Sequence, residues 1–373
     1  MVYDVAICGA GPVGLMLACE LRLAGASVLV LERLADIDPT VKAGSINVPT
    51  SEAFYRRGML APLEEQQRLN LERMRSFRQQ VRPGAGPWPA KVPRMVGHFA
   101  GIMVGADGVD FADPAFRDAG PAAGVIGVGQ QAIERILGER AAGLGADVRR
   151  CAEVTGFDAD EQGVSIRFGG QSVRAGWLAG CDGGRSIVRK LAGFDFPGTD
   201  PEITGRQALV EMEGAEGLGF GWNRTDTGIY VHGPVPGRIL TVEFGGPPAD
   251  RDAPVSSAEL QESLRRTSGT QVTITAVMSA TRFTDNARQA STYRQGRVLL
   301  AGDAAHVHSP FGGAGTQRRH RRCGEPRLEA GRDHQRLGTA RPAGYLYQRA
   351  ASGRRMGTGV DPCPGGIDAH GPG

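Results

Sequence analysis

Apolar residues near the start of the chain follow two patterns, a continuous run and then a helical spacing. The run Val2–Cys8 (VYDVAIC) is bounded by glycine, which is typical of a strand buried in a parallel sheet. Residues Pro12–Leu23 then place apolar side chains at helical spacing among small residues, and Gly25 follows as a helix terminator. A second apolar run, Ser27–Leu31, completes a predicted β-α-β unit.

The middle of the chain continues with helical and alternating patterns. Helical spacing predicts a helix over Gln130–Leu144, and a second, amphipathic helix is predicted near Ser257–Arg266. The segment from Phe194 to Met278 otherwise alternates β-type runs with turns, which predicts a separate, sheet-based domain. The further predicted strands are Asp147–Arg150, Val154–Phe157, Val164–Phe168, Val173–Leu178 and Arg297–Ala301.

Two of these segments bear on the overall organisation. The last strand, Arg297–Ala301, has the apolar character of a buried strand and is expected to rejoin the sheet that Val2–Cys8 begins. Residues Leu69–Gly124 are rich in Pro, Gly and Arg and show only weak periodicity, so we predict loops and strands there. The alternation of strands and helices predicts an α/β fold with a parallel sheet.

The charge of the chain is distributed unevenly. The formal net charge is +3, but residues 318–373 carry +6 and residues 1–317 carry −3. The body therefore lacks the basic stripe that tracks phosphates, and we predict that the protein does not bind nucleic acid.

Composition also restricts the compartment. The chain has no uninterrupted apolar window of about 18 residues, and its start lacks a basic region followed by an apolar signal core. We therefore expect a cytoplasmic protein that does not bind a membrane. Six cysteines without CxxC spacing suggest neither a zinc site nor a disulfide framework. They are Cys8, Cys19, Cys151, Cys181, Cys323 and Cys363.

A glycine motif, GAGPVG, lies where the first strand turns into the first helix. Gly9 would make the tight turn, Gly11 would admit a pyrophosphate, and Gly14 would let the helix meet the strand. Glu32 follows the second strand, 23 residues after Gly9, where its carboxylate can accept hydrogen bonds from ribose hydroxyls. The motif predicts a dinucleotide site without deciding which dinucleotide, and a glycine-rich turn that binds nothing is the alternative.

Two further motifs follow predicted strands. CDGGRSIVRK places Asp182 after an apolar strand, although a turn that needs positive φ at a glycine explains the same residues. GDAAHVHSPFGGAG places Asp303 at the carboxyl end of a parallel strand, where open α/β sheets bind ligands. A sugar-alcohol hydroxyl is a natural partner for this carboxylate.

Other chemistry is not indicated by the same region. His306 and His308 stand two residues apart in an extended stretch, so they are expected to point to opposite faces, and no third ligand lies near them. Ser309 lacks the GxSxG context of a serine nucleophile. We therefore predict no metal site and no serine nucleophile here.

The three motifs in this order resemble those of class A flavoprotein aromatic hydroxylases, the para-hydroxybenzoate hydroxylase superfamily. The segments ELRLAGASVLVLERL, CDGGRSIVRKLAGFDFPGT and YRQGRVLLAGDAAHVHSP are particularly similar to actinomycete polyketide hydroxylases and rifampicin monooxygenases. The likeness covers nearly all of residues 1–317. It implies a Rossmann-like FAD-binding fold with an inserted α+β, sheet-based substrate domain.

The resemblance also implies roles for individual residues. Gln130 would contact the cofactor from a helix start, Asp303 would bind the ribityl chain, and Asp182 and Arg185 belong to a motif associated with FAD and NADPH. Pro310 and the glycines at 312–315 would border the flavin ring. The implied cofactor-binding residues are Gly9, Gly11, Pro12, Gly14, Glu32, Arg33, Lys42, Gln130, Asp182, Gly302, Asp303, Pro310, Gly313 and Gly315, with Gly312 also bordering the flavin.

Two features depart from the family pattern. The family usually has arginine near the flavin where this chain has Lys42, and the pattern that follows appears here as Pro49, Thr50, Ser51 and Glu52. Lysine offers a point charge where arginine offers a planar fork, so the resemblance leaves the contacts of Lys42 open.

The implied reaction uses FAD as cofactor and NADPH as transient co-substrate. NADPH reduces FAD, O2 adds to the flavin, and the C4a-hydroperoxide hydroxylates an electron-rich aromatic ring, so no protein residue is named as catalytic. The implied partners are a small aromatic substrate, O2 and NADPH, and a homodimer is compatible with the resemblance. A truncated flavin-fold protein with little or no activity and a flavin-free NAD dehydrogenase are the alternatives.

The predicted domains are discontinuous. Residues 1–75, 98–190 and 280–317 are assigned to the FAD-binding domain, and 76–97 and 191–279 to the substrate domain. Residues 318–373 contain eleven Arg and eleven Gly but only eight large apolar residues, too few for a core. Codons for the residues from Gln317 onward, chosen freely among synonyms, can encode a family-like continuation when they are translated one base out of frame. We therefore predict a frameshift near Thr316 and a non-native, disordered tail. A native Arg-rich tail is the alternative.

Overall fold

The computed structural model describes residues 2–81, 95–99, 102–105, 110, 112–113, 121–124, 127–250 and 253–310. Elements are numbered here in chain order. The described helices are α1 (Pro12–Leu23), α2 (Val48–Tyr55), α3 (Leu60–Val81), α4 (Gln130–Gly143), α5 (Ile187–Leu191) and α6 (Ser257–Ser268).

The first sheet has eight strands, with the order β15-β16-β8-β1-β2-β5, and β7 pairs with β8 while β6 pairs with β7. Its central pairs, from β16 to β5, are parallel, whereas β6, β7 and β15 pair antiparallel. The strands are β1 (Val2–Cys8), β2 (Val28–Leu31), β5 (Asp147–Arg149), β6 (Val154–Ala159), β7 (Val164–Phe168), β8 (Gln171–Gly180), β15 (Arg294–Gln295) and β16 (Val298–Leu300).

The second sheet has five antiparallel strands in the order β10-β11-β12-β9-β13, and helix α6 packs on one of its faces. Its strands are β9 (Thr204–Glu213), β10 (Gly221–Thr225), β11 (Gly228–His232), β12 (Arg238–Glu243) and β13 (Thr273–Phe283). Two small ribbons complete the described strands: β3 (Met95–Phe99) with β4 (Ile102–Gly105), and β14 (Arg288–Gln289) with β17 (His306–Val307).

The first sheet is buried on both faces, which explains its apolar strands. In β2 all four side chains are buried, with Val28 and Val30 in the core on one face and Leu29 and Leu31 in the core on the other. Helices α1 and α4 cover the first of these faces. A strand covered on both sides has no polar positions to alternate with, so its sequence is a continuous apolar run.

Most elements predicted from the pattern are confirmed. The bounds of β1, α1 and β7 agree with the prediction, and β2, α4, β5, β6, β8 and α6 differ from it by a few residues at their ends. Strand β16 pairs parallel with β8, so the last predicted strand does rejoin the first sheet. The predicted α/β fold class is confirmed.

The prediction of loops and strands from Leu69 onward was wrong for Leu69–Val81, which belongs to α3, and α2 was not predicted. Helix α3 is mostly polar, and few of its side chains, including Leu63 and Phe77, are buried. On the surface of α3, Arg68 forms ion pairs with Glu65 at 2.7 Å and with Glu72 at 2.6 Å. Ion pairs three and four residues apart stabilise a helix that has no apolar stripe. Hydrophobic periodicity therefore gives little signal for this helix.

The domain division remains a prediction, and four of its boundaries fall inside elements. The divisions at 75/76, 97/98, 190/191 and 279/280 lie within α3, β3, α5 and β13. Because a helix or strand is one continuous hydrogen-bonded unit, each of these boundaries moves to an end of its element. The predicted tail, 318–373, lies outside the described residues. Among the described helices, none is both long and apolar enough to cross a membrane.

Candidate functional site

Three predicted motifs meet at one edge of the first sheet. The last residues of β1 and β16, Cys8 and Leu300, both pair with Gly180 at the end of the intervening strand β8. Because these strands are parallel, their carboxyl ends lie at the same edge, where ligands bind in open α/β sheets. The turns that leave this edge begin at Gly9, Cys181 and Ala301.

The glycine turn requires two of its glycines for steric reasons. Gly9 has φ +104°, and a Cβ there would lie 2.5 Å from the carbonyl oxygen of Cys181. A Cβ on Gly14 would lie 2.0 Å from the carbonyl oxygen of Gly9. At Gly11, in contrast, no heavy atom of the described residues beyond its immediate chain neighbours lies within 4 Å of the Cβ position. The protein leaves room at Gly11, as the predicted approach of a pyrophosphate requires.

Helix α1 begins beside this open position. Pro12 is its first residue, and Gly11 at the N-cap provides no side-chain hydrogen bond to the helix. A helix N-terminus carries partial positive charge and unpaired N–H groups, which together attract phosphate. The sequence places a proline and a glycine here, so no side chain of the turn competes with a ligand.

Glu32 directs its carboxylate to the glycine turn. Its Oε2 accepts a hydrogen bond from the Ala10 N–H at 2.8 Å, and its Oε1 accepts one from the Leu34 N–H at 2.9 Å. A carboxylate has about four acceptor positions, so further donors can bind. Arg33, the next residue, is exposed.

The predicted residues of the 40s loop and of α4 lie close together. The backbone N–H of Gln130 donates to the carbonyl oxygen of Ala43 at 3.0 Å, directly beside Lys42. Lys42 itself is exposed, and its Nζ forms an ion pair with Asp38 at 2.9 Å. The side-chain amide of Gln130 donates to Glu134 Oε1 at 2.8 Å.

Glu134 makes the stability of this region dependent on pH. Burial raises its pKa, and the hydrogen bond from Gln130 offsets only part of that effect. The folded protein then binds the proton more tightly than the unfolded chain, so stability decreases as pH rises from the unfolded pKa of about 4.3 through the higher folded pKa.

Glu134→Gln should therefore be more stable than the wild type at about pH 8 and lose this advantage near pH 4. The variant keeps an oxygen that can accept the Gln130 hydrogen bond. Urea unfolding of both proteins across this range measures the difference, and a difference independent of pH would contradict the assignment.

Asp182 is engaged within its own motif. Its carboxylate accepts hydrogen bonds from the Ser186 hydroxyl and from the Ile187 and Val188 N–H groups, the latter two at 2.7 and 3.2 Å, and thereby caps α5. Gly183 has φ +82°, so the positive-φ turn considered from the sequence is present. The predicted cofactor role of Asp182 stays a prediction.

The Gly302–Asp303 turn lies against the start of α1. Gly302 has φ +64°, and a Cβ there would lie 3.0 Å from Cγ2 of Val13. Asp303 is exposed on this turn, and Pro310 is also exposed. The structure thus brings the turn of Asp303 next to the glycine turn, as one shared cofactor requires. Gly312, Gly313 and Gly315 lie outside the described residues.

Arg189 joins two of the three turns, a role that the sequence analysis missed although the residue lies in the CDGG motif. Its side chain is 6% exposed and donates to the carbonyl oxygens of Ala304 at 3.0 Å and Gly184 at 2.8 Å. Its guanidinium carbon lies 3.8 Å from the ring centre of Phe196. These contacts fix the spacing of the β8 and β16 turns.

Arg189→Met should lower the free energy of unfolding by about 3 kcal/mol, because it leaves two carbonyl oxygens unpaired at about 1–3 kcal/mol each. Lys190→Met is the matched control, since this neighbour on α5 is exposed. Chemical denaturation measures both variants, and equal losses would show that Arg189 has no special role.

The expected opposite orientation of the two histidines was wrong. The rings of His306 and His308 stack, with centres 5.6 Å apart and planes at 17°. Strand β17 ends at Val307, so the alternation of a strand does not extend to His308. Burial, and then the neighbouring His308, lower the pKa of His306. Within the described ranges, no group of three His, Cys, Asp or Glu residues is arranged for a metal.

The chain is similar to known flavoproteins. A family model described as FAD binding domain matches residues 2–317. The 12-dehydrotetracycline 5-monooxygenase/anhydrotetracycline 6-monooxygenase of Streptomyces rimosus is 39% identical over 332 residues, which cover 84% of this chain and 60% of that protein. Rifampicin monooxygenase of Streptomyces venezuelae is 33% identical over 329 residues, covering 84% and 61%.

A solved structure agrees with these sequences. That of the anhydrotetracycline hydroxylase from Streptomyces rimosus superposes with a TM-score of 0.66 at 34% identity, covering 91% of this chain and 62% of that one. The chain thus spans about three fifths of the length of these relatives.

Proposed function

We propose that this chain, which belongs to the FAD binding domain family, is an FAD-dependent monooxygenase. It would use NADPH and O2 to hydroxylate an aromatic polyketide or a related phenolic compound. The relatives named as tetracycline-type and rifampicin monooxygenases support this reaction class. As the chain spans about three fifths of their length, the activity and substrate class are proposals for this protein.

One observation carries the proposal: the Gly302–Asp303 turn packs on Val13 of α1, two residues after Gly11. A long cofactor can therefore place its pyrophosphate at Gly11 and its sugar alcohol at Asp303. The open position at Gly11, the uncapped start of α1 and the carboxylate of Glu32 suit the ADP half of FAD.

Each of these groups would have a distinct task. N–H groups at the start of α1 would bind the pyrophosphate, and Glu32 would accept hydrogen bonds from the adenosine ribose. Asp303 would accept them from the ribityl hydroxyls, and Gln130 would contact the cofactor from the start of α4. Pro310 and the glycines that follow it would border the flavin ring.

FAD, when bound, supplies the redox chemistry, accepting hydride from NADPH and activating O2. The protein then has to hold the substrate ring beside the flavin and exclude water from that position. No side chain is needed as the source of the transferred oxygen.

The purified full chain tests the proposal. We expect a bound yellow chromophore that is released as FAD on denaturation, NADPH oxidation that an aromatic polyketide stimulates, and a product that carries one isotope-labelled oxygen atom from O2. Protein that binds no flavin under any condition would overturn the proposal and would favour a flavin-free NAD dehydrogenase.

A second candidate is a protein of this family that binds FAD with little or no hydroxylation. Its basis is the composition of residues 318–373, which contain eleven Arg and eleven Gly but only eight large apolar residues, together with the predicted frameshift near Thr316. Bound FAD without stimulated NADPH oxidation would identify it. Restored oxidation in a frame-corrected chain would then assign the loss to the altered segment.

A further inference from the structure

Three polar side chains, those of Gln207, Arg238 and Ser279, lie on one face of the second sheet. In the antiparallel register, Leu209 of β9 pairs with Arg238 of β12 on one side and with Ser279 of β13 on the other. Directly paired residues point to the same face of a sheet. Gln207, two residues before Leu209 on β9, points to this face as well.

This face is directed to the candidate cofactor site. The side-chain amide of Gln207 donates to the carbonyl oxygen of Val41. Val41 precedes Lys42 and Ala43, and the carbonyl oxygen of Ala43 accepts the hydrogen bond from the Gln130 N–H. Gln207, Arg238 and Ser279, called the polar row from here on, therefore lie on the face next to the loop that follows β2 and contains Lys42.

Much of the rest of this face is apolar. A cluster of buried aliphatic side chains shares it with the polar row, and Trp222 and Phe283 pack against the cluster. The buried members are Ile203, Ile229, Val231, Leu240 and Val242. Apolar walls with a few fixed polar groups are typical of small-molecule sites.

The polar row contains hydrogen-bonding groups that the described residues leave unused. Arg238 donates from Nη2 to Gln207 Oε1 at 3.0 Å, but its Nε is buried without a hydrogen-bond partner in the described part of the chain. The buried Ser279 Oγ is in the same situation. Burial lowers the pKa of Arg238, and no carboxylate among the described residues forms an ion pair with it.

On the opposite face of the sheet, two arginines form ion pairs with a carboxylate. Arg206 and Arg282 both pair with Glu259 of α6, at 2.7 and 2.6 Å. A buried cation without such a partner is costly, and a bound anion would remove that cost. Arg238 is thus prepared to receive negative charge from a ligand.

We propose that Arg238, oriented by Gln207, binds an anionic oxygen of the aromatic substrate, a phenolate or an enolate, with Ser279 as a further hydrogen-bonding group on the same face. The proposal rests on the proposed function, because it assigns this face to the substrate of the monooxygenase. It specifies the substrate class further: a fused or extended aromatic ring whose acidic oxygen points away from the flavin edge and towards the second sheet.

The test uses alizarin, a tricyclic phenol that changes colour on ionisation, and anthraquinone, which has the same rings without hydroxyl groups. Binding to the full chain is measured for the wild type, Arg238→Met and Arg238→Lys. Arg238→Met should weaken the binding of ionised alizarin about tenfold and raise the pKa of bound alizarin correspondingly, because a charge-assisted hydrogen bond is lost. Anthraquinone binding should change about twofold at most.

Arg238→Lys should retain part of the effect, since lysine keeps the charge but lacks the planar fork. If Arg238→Met does not fold, Arg238→Lys carries the test through the same two ligands. Arg266→Met is the matched control: this arginine is on α6, on the opposite face, and is half exposed. Its alizarin binding should equal that of the wild type.

Two results would overturn the proposal: equal weakening of both ligands by Arg238→Met, or no change in alizarin binding. FAD content is measured in the same samples to separate the two proposals. If the chain never binds FAD but alizarin binding depends on Arg238, the proposed monooxygenase function is overturned and the proposed anion site is retained. If the chain binds FAD but alizarin binding does not depend on Arg238, only the proposed anion site is overturned.

Discussion

Gly11→Val should lower the affinity for FAD about a hundredfold while the protein stays folded. Gly11 has φ −71° and ψ 179°, an extended conformation that valine adopts, and no atom of the described residues beyond its chain neighbours lies within 4 Å of its Cβ position. The valine side chain would instead occupy the space predicted for the pyrophosphate. Loss of two charge-assisted hydrogen bonds costs about 1.5–3 kcal/mol each, and each 1.4 kcal/mol is about tenfold in affinity.

Fluorescence titration of the flavin-free protein with FAD measures this affinity, and urea unfolding of the same variant measures its stability. Gly25→Ala is a useful comparison, because Gly25 has φ +84°, also with an open Cβ position, but lies at the other end of α1. Strain from positive φ should lower its stability by about 1–2 kcal/mol and leave FAD binding intact. Unchanged FAD affinity in Gly11→Val would refute the assigned pyrophosphate position.

Gly14→Ala is expected to lower the free energy of unfolding by about 3 kcal/mol. Its Cβ would lie 2.0 Å from the carbonyl oxygen of Gly9, a backbone atom held at the end of β1. Helix α1 would have to move away from the sheet, and overpacking of this kind typically costs about 1–3 kcal/mol. Because the N-terminus of α1 is the proposed pyrophosphate site, FAD affinity should fall together with stability.

Gly138→Ala is the matched control on α4, the helix that packs against α1. There the nearest atom to the Cβ position is Cδ1 of Leu15 at 4.0 Å, an ordinary contact. Alanine should stabilise the helix by about 0.5–1 kcal/mol relative to glycine. Chemical denaturation of both variants should thus give effects of opposite sign, and similar small effects would mean that α1 approaches the sheet less closely than described.

Local features of the sequence predicted much of the fold. The apolar runs of β1 and β2 and the helical spacing of α1 predicted the first β-α-β unit, and GAGPVG predicted the turn between them. These signals are local because a strand buried on both faces must be apolar throughout. Helix α3 gave no such signal, since its exposed surface is stabilised by ion pairs such as Arg68 with Glu65.

Sequence motifs likewise predicted some residues of the candidate site and missed others. Gly9, Gly14 and Asp303 were singled out from motifs, whereas the joining of two turns by Arg189 and the polar row of Arg238 and Ser279 were not. Nothing in the local sequence distinguishes Arg189 from the other basic residues of its motif. Its role became evident from its buried hydrogen bonds in the structure. Arg238 and Ser279 are 41 positions apart along the chain.

The sequence alone therefore determined which segments are buried, where the chain must turn at a glycine, and which family of cofactor sites those turns resemble. Only the tertiary structure decided that Gly302 rests on Val13, and that Arg238 faces the cofactor side of its sheet without a carboxylate among the described residues. The reason is physical: burial and turn conformation depend on neighbours a few residues away. The meeting of two turns and the pairing of a charge depend on strand order and register, which join residues far apart in the chain.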